Sequence, residues 1–208
     1  MGDDKRIRGE PLRERVIDAA ERLLRRGKAE FSMRDLAAEA GVSFATPFNQ
    51  FGSKAAIMHA LSARRIDAML ERLLSNPPEG DLRTRVLVAV EIAVAVMLEE
   101  PPVNCAVMGW LGTASPTSGH VLAHSTRLWA TAIGDDEAAP DGDRNDALRR
   151  LPELLAYAFR GVLSFWTAGE LTDGALADRA KEVAGALVAG FADRSAAMKA
   201  AGGERSGC

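Results

Sequence analysis

The segment Ser32–Lys54, SMRDLAAEAGVSFATPFNQFGSK, has room for only two short helices, because Gly41 interrupts its helical periodicity near the midpoint. Ser32 opens the first, with Asp35 three residues on to complete a capping box. Met33, Leu36, Ala37 and Ala40 give that helix an apolar side, and Gly41 ends it. A second short helix is expected from about Ser43 to Gln50. Helices this short are marginal alone in water and need longer neighbours to pack against. The chain supplies one on each side. After Pro11, Val16, Ile17, Ala20, Leu23 and Leu24 mark one face of a helix that Gly27 closes, with Arg25 and Arg26 in its last turn. Ser53 caps a longer helix whose inward face includes Ile57, Met58, Leu61 and Leu73.

Helical periodicity continues through the rest of the chain, with no internal repeat and no strand–helix–strand alternation. Asn76-Pro77-Pro78-Glu79-Gly80 is the expected linker. Asp81 caps a helix through about Glu100 that is apolar almost all round and belongs at the centre of a second domain. Pro101-Pro102 starts a shorter one. GTASPTSG reads as a loop, His120–Ile133 as a helix, and GDDEAAPDGD as an acidic loop. A long helix follows from about Arg144 to Gly169, with Pro152 a kink or a second start, and a last helix runs from Asp173 to about Ala192. The expected fold class is all-α. The expected domains are a flexible arm (1–10), a first helical domain (11–75), a second helical body (81–195) and a disordered tail (196–208).

The chain of 208 residues is 47% hydrophobic and 26% charged, as a folded soluble protein is. Its two cysteines, Cys105 and Cys208, form no disulfide framework, and a reducing cytoplasm is the expected location. MGDDKRIRGE lacks the apolar stretch of a secretory signal. Val86–Leu98 is too short to span a bilayer and carries Glu91, so no membrane role is expected. Residues 1–75 hold 14 Lys and Arg against 11 Asp and Glu, so a mildly basic front sits on an acidic body. That asymmetry is compatible with nucleic acid but does not require it.

Two short helices joined by a tight glycine turn and flanked by helices describe a helix-turn-helix. Ala37 is small enough for the second helix to cross the first, and Gly41 takes a left-handed conformation without a Cβ penalty. Val42 and Phe48 are expected to plug the angle between them and Phe51 to anchor the exit. Phe44, Ala45, Thr46, Asn49 and Gln50 remain exposed, with the short groups that suit a major groove. The order of elements from Arg13 to Leu61 resembles the DNA-binding region of TetR-type transcriptional regulators: helix, Ser-x-x-Asp box, Gly-Val-Ser turn, short helix, Phe-x-Ser-Lys, helix.

The resemblance implies that Arg34 reaches a base edge and that Phe44 and Ala45 lie at the mouth of the recognition helix. It implies that Ser43, Thr46 and Lys54 contact phosphate, and it admits Arg6 and Arg8 as an arm on the DNA. Phe48 replaces a usual tyrosine and so lacks the phenol that would bond a phosphate; Gln50 replaces a frequent histidine. Pro47 replaces leucine. If Ser43 is the cap, Pro47 loosens the first turn; if Thr46 is the cap, the recognition helix is shortened.

A reader with one recognition helix gains by pairing. The last two long helices carry apolar stripes, Leu155, Phe159, Val162, Leu163 and Trp166 on one, Leu176, Ala180, Val183, Ala184, Leu187 and Phe191 on the other. Intrachain core is the plain alternative. The resemblance implies a four-helix homodimer interface here. Met97, Cys105, Met108, Trp110, Leu111, Trp129, Tyr157, Phe165 and Trp166 suit an adaptable apolar cavity, with His124 at its edge. His120 and His124 have metal-ligand spacing but no third ligand nearby, so no metal and no cofactor is expected. Catalytic motifs such as GxSxG, GxGxxG and HExxH are absent. The expected function is a regulator, a repressor released from a near-palindromic double-stranded DNA operator by a small apolar or amphipathic effector. The alternatives are an all-α carrier or enzyme, and a metal-responsive regulator using His120 and His124.

Overall fold

A computed structural model describes residues 3–112, 120–134 and 142–203. Among these, every regular element is a helix: α1 (Asp3–Arg25), α2 (Met33–Ala40), α3 (Ala45–Phe51), α4 (Lys54–Ser75), α5 (Leu82–Glu99), α6 (Pro101–Trp110), α7 (His120–Ile133), α8 (Gly142–Thr167) and α9 (Asp173–Gly203). The all-α expectation holds. The loops GTASPTSG and GDDEAAPDGD lie almost wholly outside the described residues, as do Cys208 and the side chains of Arg6 and Arg8.

Two boundaries differ from expectation. Helix α1 begins at Asp3, so most of the supposed arm is its first turns, with Pro11 inside the helix. Helix α9 continues to Gly203, well past Ala192 and into the supposed tail. In both places the sequence lacks a residue that forces a stop, since Pro11 only removes one bond and the alanine-rich end of α9 favours helix.

The chain divides into two compact units, one of residues 1–65 and 97–121, the other of 66–96 and 122–208. In the first unit the α1 stripe of Val16, Ile17, Ala20, Leu23 and Leu24 is buried. It packs with Leu36 and Ala40 of α2, Phe51, and Ile57, Met58 and Leu61 of α4. Val103 and Val107 of α6 join the same core, although this segment reads as body in the sequence. Polar contacts fix it there. Asn104, 1% exposed, donates to the Met97 carbonyl at 2.8 Å and accepts from Arg65 Nε at 2.7 Å. Arg65 also pairs with the buried carboxylate of Glu21, which Arg64 reaches at 3.0 Å. Buried charge is tolerated because each member is bonded.

In the second unit Asp81 caps α5 as expected, accepting from the Thr84 amide at 2.8 Å. Bonds from the Thr84 hydroxyl and then its amide hold the Asp81 carboxyl below its ordinary range. Val86, Ala89, Val90, Ala93, Val94 and Val96 are buried, so this part of α5 forms the middle of its unit. Pro152 stands inside α8 without ending it. After α8 the chain turns at Gly169 (φ 77°), and Trp166 Nε1 donates to Asp173 Oδ1 at 2.7 Å across the turn into α9.

Candidate nucleic-acid interface

Both halves of the expected capping box are present at the start of α2. Ser32 Oγ accepts from the Asp35 amide at 3.1 Å, and Asp35 Oδ2 accepts from the Ser32 amide at 2.8 Å. A second bond, from Ser32 Oγ at 2.7 Å, lowers the Asp35 pKa further. At the other end Gly41 is left-handed (φ 63°, ψ 42°), and the Val42 amide returns to the Ala37 carbonyl at 3.0 Å. This closes the helix and turns the chain. Arg15 donates to the Ala40 carbonyl at 2.9 Å, and Arg22 and Arg26 bind Glu39, so α1 and the residue that follows it hold the C-terminal end of α2. Arg13 donates to the Gln50 carbonyl at 3.0 Å and lies 4.2 Å from the Phe51 ring centroid, which fixes the end of α3.

Helix α3 starts one residue later than a Ser43 cap would place it. Phe44 occupies the N-cap with helical dihedrals (φ −54°, ψ −34°) and no side-chain cap. Pro47 is then the third helical residue, in the group of four whose N–H has no partner inside the helix. It therefore costs no helical hydrogen bond, and neither expected frame applies. The Ser43 carbonyl, which a helix would offer to residue 47, accepts instead from the Thr46 amide at 2.9 Å. The Ser43 and Thr46 hydroxyls bond each other at 2.8 Å.

Pro47 is buried together with Phe51, whereas Phe48 is 43% exposed. The expected plug is thus Pro47, not Phe48. A helix this short buries one face only, and the frame turns Phe48 outward beside Phe44, itself 54% exposed. Their rings meet edge to face at 5.5 Å, and the Arg34 guanidinium lies 5.6 Å from the Phe44 centroid. Ala45 and Asn49 are exposed, Thr46 and Gln50 half-buried. Of the five residues expected to be bare, Phe44, Ala45 and Asn49 are exposed, and Phe48 joins them.

Lys54 departs from expectation. Its ammonium donates to the Ala29 carbonyl at 2.7 Å and lies 4.5 Å and 4.9 Å from the ring centroids of Phe31 and Trp110. Burial lowers its pKa. The side chain ties α4 to the α1–α2 loop and to α6 rather than presenting its charge outward.

The expected cavity residues are divided between the two units. Met97, Cys105, Met108, Trp110 and Leu111 belong to the first unit, where Trp110 packs on the core shared by α1 and α4. In the second unit, His124 Nε2 lies 2.8 Å from Asp67 Oδ1, Phe165 is exposed and Trp166 is buried on Asp173. Trp129 alone of this set lines an apolar cleft, with Val90, Leu155, Phe159, Ala180 and Val183. The interior of that cleft admits about 10 Å³, roughly one water-sized sphere. Leu155, Phe159, Leu176 and Ala180, expected at a dimer interface, are buried within their own chain. Val162, Val183, Leu187 and Phe191 keep accessible surface. Among the described residues no group of three or more His, Cys, Asp or Glu is placed to hold a metal, and no helix is long and apolar enough to cross a membrane.

A capped helix, a left-handed glycine and a second short helix, held from outside by α1 and α4, form a helix-turn-helix. Residues 16–61 match the family model of the bacterial regulatory proteins of the tetR family, so this segment is similar to that family's N-terminal region. The fold of the chain is similar to the crystal structure of a TetR transcriptional regulator from Rhodococcus sp. RHA1, at 21% identity and a TM-score of 0.72, over 86% of this chain and 96% of that one. A putative transcriptional regulator from Streptomyces coelicolor A3(2) aligns over the same shares at 23% identity and a TM-score of 0.49. No curated protein matches the chain.

Proposed function

We propose that the protein is a cytoplasmic, homodimeric repressor that leaves a near-palindromic operator when a small apolar molecule binds its second unit. The observation that carries the reading is the exposed face of α3, where Phe44, Ala45, Phe48 and Asn49 stand clear of the fold. On this reading Arg34 donates to a base edge, Ser43, Thr46 and Gln50 to phosphates, and Ala45 allows the DNA to come close. Lys54 positions the head rather than touching DNA.

Pairing is supported by the exposed apolar residues Phe165 of α8 and Val183 of α9, with the half-buried Val162 and Leu187 beside them. The effector reading is supported by the apolar cleft at Trp129, which is small and has to widen to admit a ligand. A ligand shifts the equilibrium between DNA-competent and released forms only by its differential affinity for the two. Gel-shift titration with the promoter region beside the protein's own gene tests the proposal. Retardation at low salt is expected. Absence of any retarded species contradicts it.

A further inference from the structure

The exposed face of α3 carries two phenylalanines where short polar groups would serve a general major-groove contact. Phe44 and Phe48 are one helical turn apart, with rings 5.5 Å apart at 66°, and Phe44 is flanked by the Arg34 guanidinium. Both rings are substantially exposed, at 54% and 43%. Exposing two aromatic rings side by side forgoes the free energy of burying them. A phenyl ring offers no hydrogen bond, so it reads no donor or acceptor pattern. The apolar group that a base pair displays in the major groove is the thymine 5-methyl.

We propose that Phe44 and Phe48 form a fixed apolar wedge that recognises thymine methyl groups in each operator half-site. The inference rests on the reading that α3 enters the major groove, and it adds what that helix selects. The edge-to-face contact restrains both rings before DNA arrives, which lowers the ordering cost of the contact. The guanidinium beside Phe44 brings positive charge to the same face, so the wedge approaches a polyanion without repulsion.

Duplexes enriched from a random pool by the full-length protein at low salt, then re-amplified with dTTP or dUTP, differ only in thymine methyls. Unmethylated nucleotides throughout exclude methylcytosine as the source. The uracil set is expected to bind more weakly, by about fourfold for each methyl removed from contact. Phe44→Ala and Phe48→Ala are each expected to lose part of that preference while melting as the wild type does. Equal binding of the two sets by the wild type overturns the inference, and so does a preference that survives unchanged in both variants. Failure to enrich any duplex is a different result. It contradicts the regulator reading itself, and the inference with it.

Discussion

An ammonium bonded to the Ala29 carbonyl and seated between the rings of Phe31 and Trp110 has its directions of interaction filled. Lys54→Ala is therefore expected to lower stability by about 1 kcal/mol, the scale of a partly desolvated cation–π contact. The slope of log affinity against log salt should stay as in the wild type; a slope shallower by about one would show that Lys54 neutralises a phosphate. At Asp35 the two bonds from Ser32 hold the carboxyl below its ordinary range. A depressed pKa means stability that is fully present above the unfolded pKa and lost as pH falls through the folded one. The stability gap between wild type and Asp35→Asn, measured by denaturant titration, should narrow as pH drops below the ordinary carboxylate range. A gap that stays constant down to strongly acidic pH would contradict the capping role.

Helix α3 turns on the position of Pro47. Because its missing N–H falls among the four that have no helical partner, and its ring is buried, the proline fits the helix without strain. Pro47→Ala should then destabilise by about 1 kcal/mol, through lost burial and a freer unfolded chain. A gain in stability would show that the proline strains the turn. The short elements were the most legible part of the chain: Ser32, Asp35, Gly41, Ser53 and Asp81 each specify a local geometry that the structure realises. The frame of α3 was less so, because Phe44 caps without a side-chain bond and leaves no sequence sign. Lys54 and Trp110 are far apart in the chain, and no local pattern links a lysine to a distant ring. Likewise the stripes on α8 and α9 look alike to periodicity whether they face their own unit or a partner, and burial of Leu155 and Leu176 decides only part of each stripe.

For the whole molecule, several arginines of the first third are engaged by carboxylates within the fold. Arg22 and Arg26 bind Glu39, Arg25 binds Glu100, and Arg64 reaches Glu14, Asp18 and Glu21. That explains why charge counting alone was a poor guide to the DNA face. The boundary drawn at Pro77-Pro78 also missed that Val103, Asn104 and Val107 serve the core of the first unit. Such packing depends on residues remote in sequence. On the paired assembly, Phe165→Asp is expected to weaken self-association at least about tenfold, as loss of a central apolar anchor does. Sedimentation should show a dimer for the wild type and a shift toward monomer for the variant, with α-helical content unchanged. Identical sedimentation of the two would remove Phe165 from the interface.

The most direct measurement is the affinity of an Ala45→Glu variant for duplex DNA beside that of the wild type. Glutamate is tolerated at the first residue of a helix and complements its dipole, so the fold is expected to persist. Facing a phosphate backbone, the same charge is repelled. Loss of the wild type's retarded complex in the variant, with an unchanged melting curve, is the result predicted. Undiminished binding by Ala45→Glu would mean that the bare face of α3 does not lie against DNA.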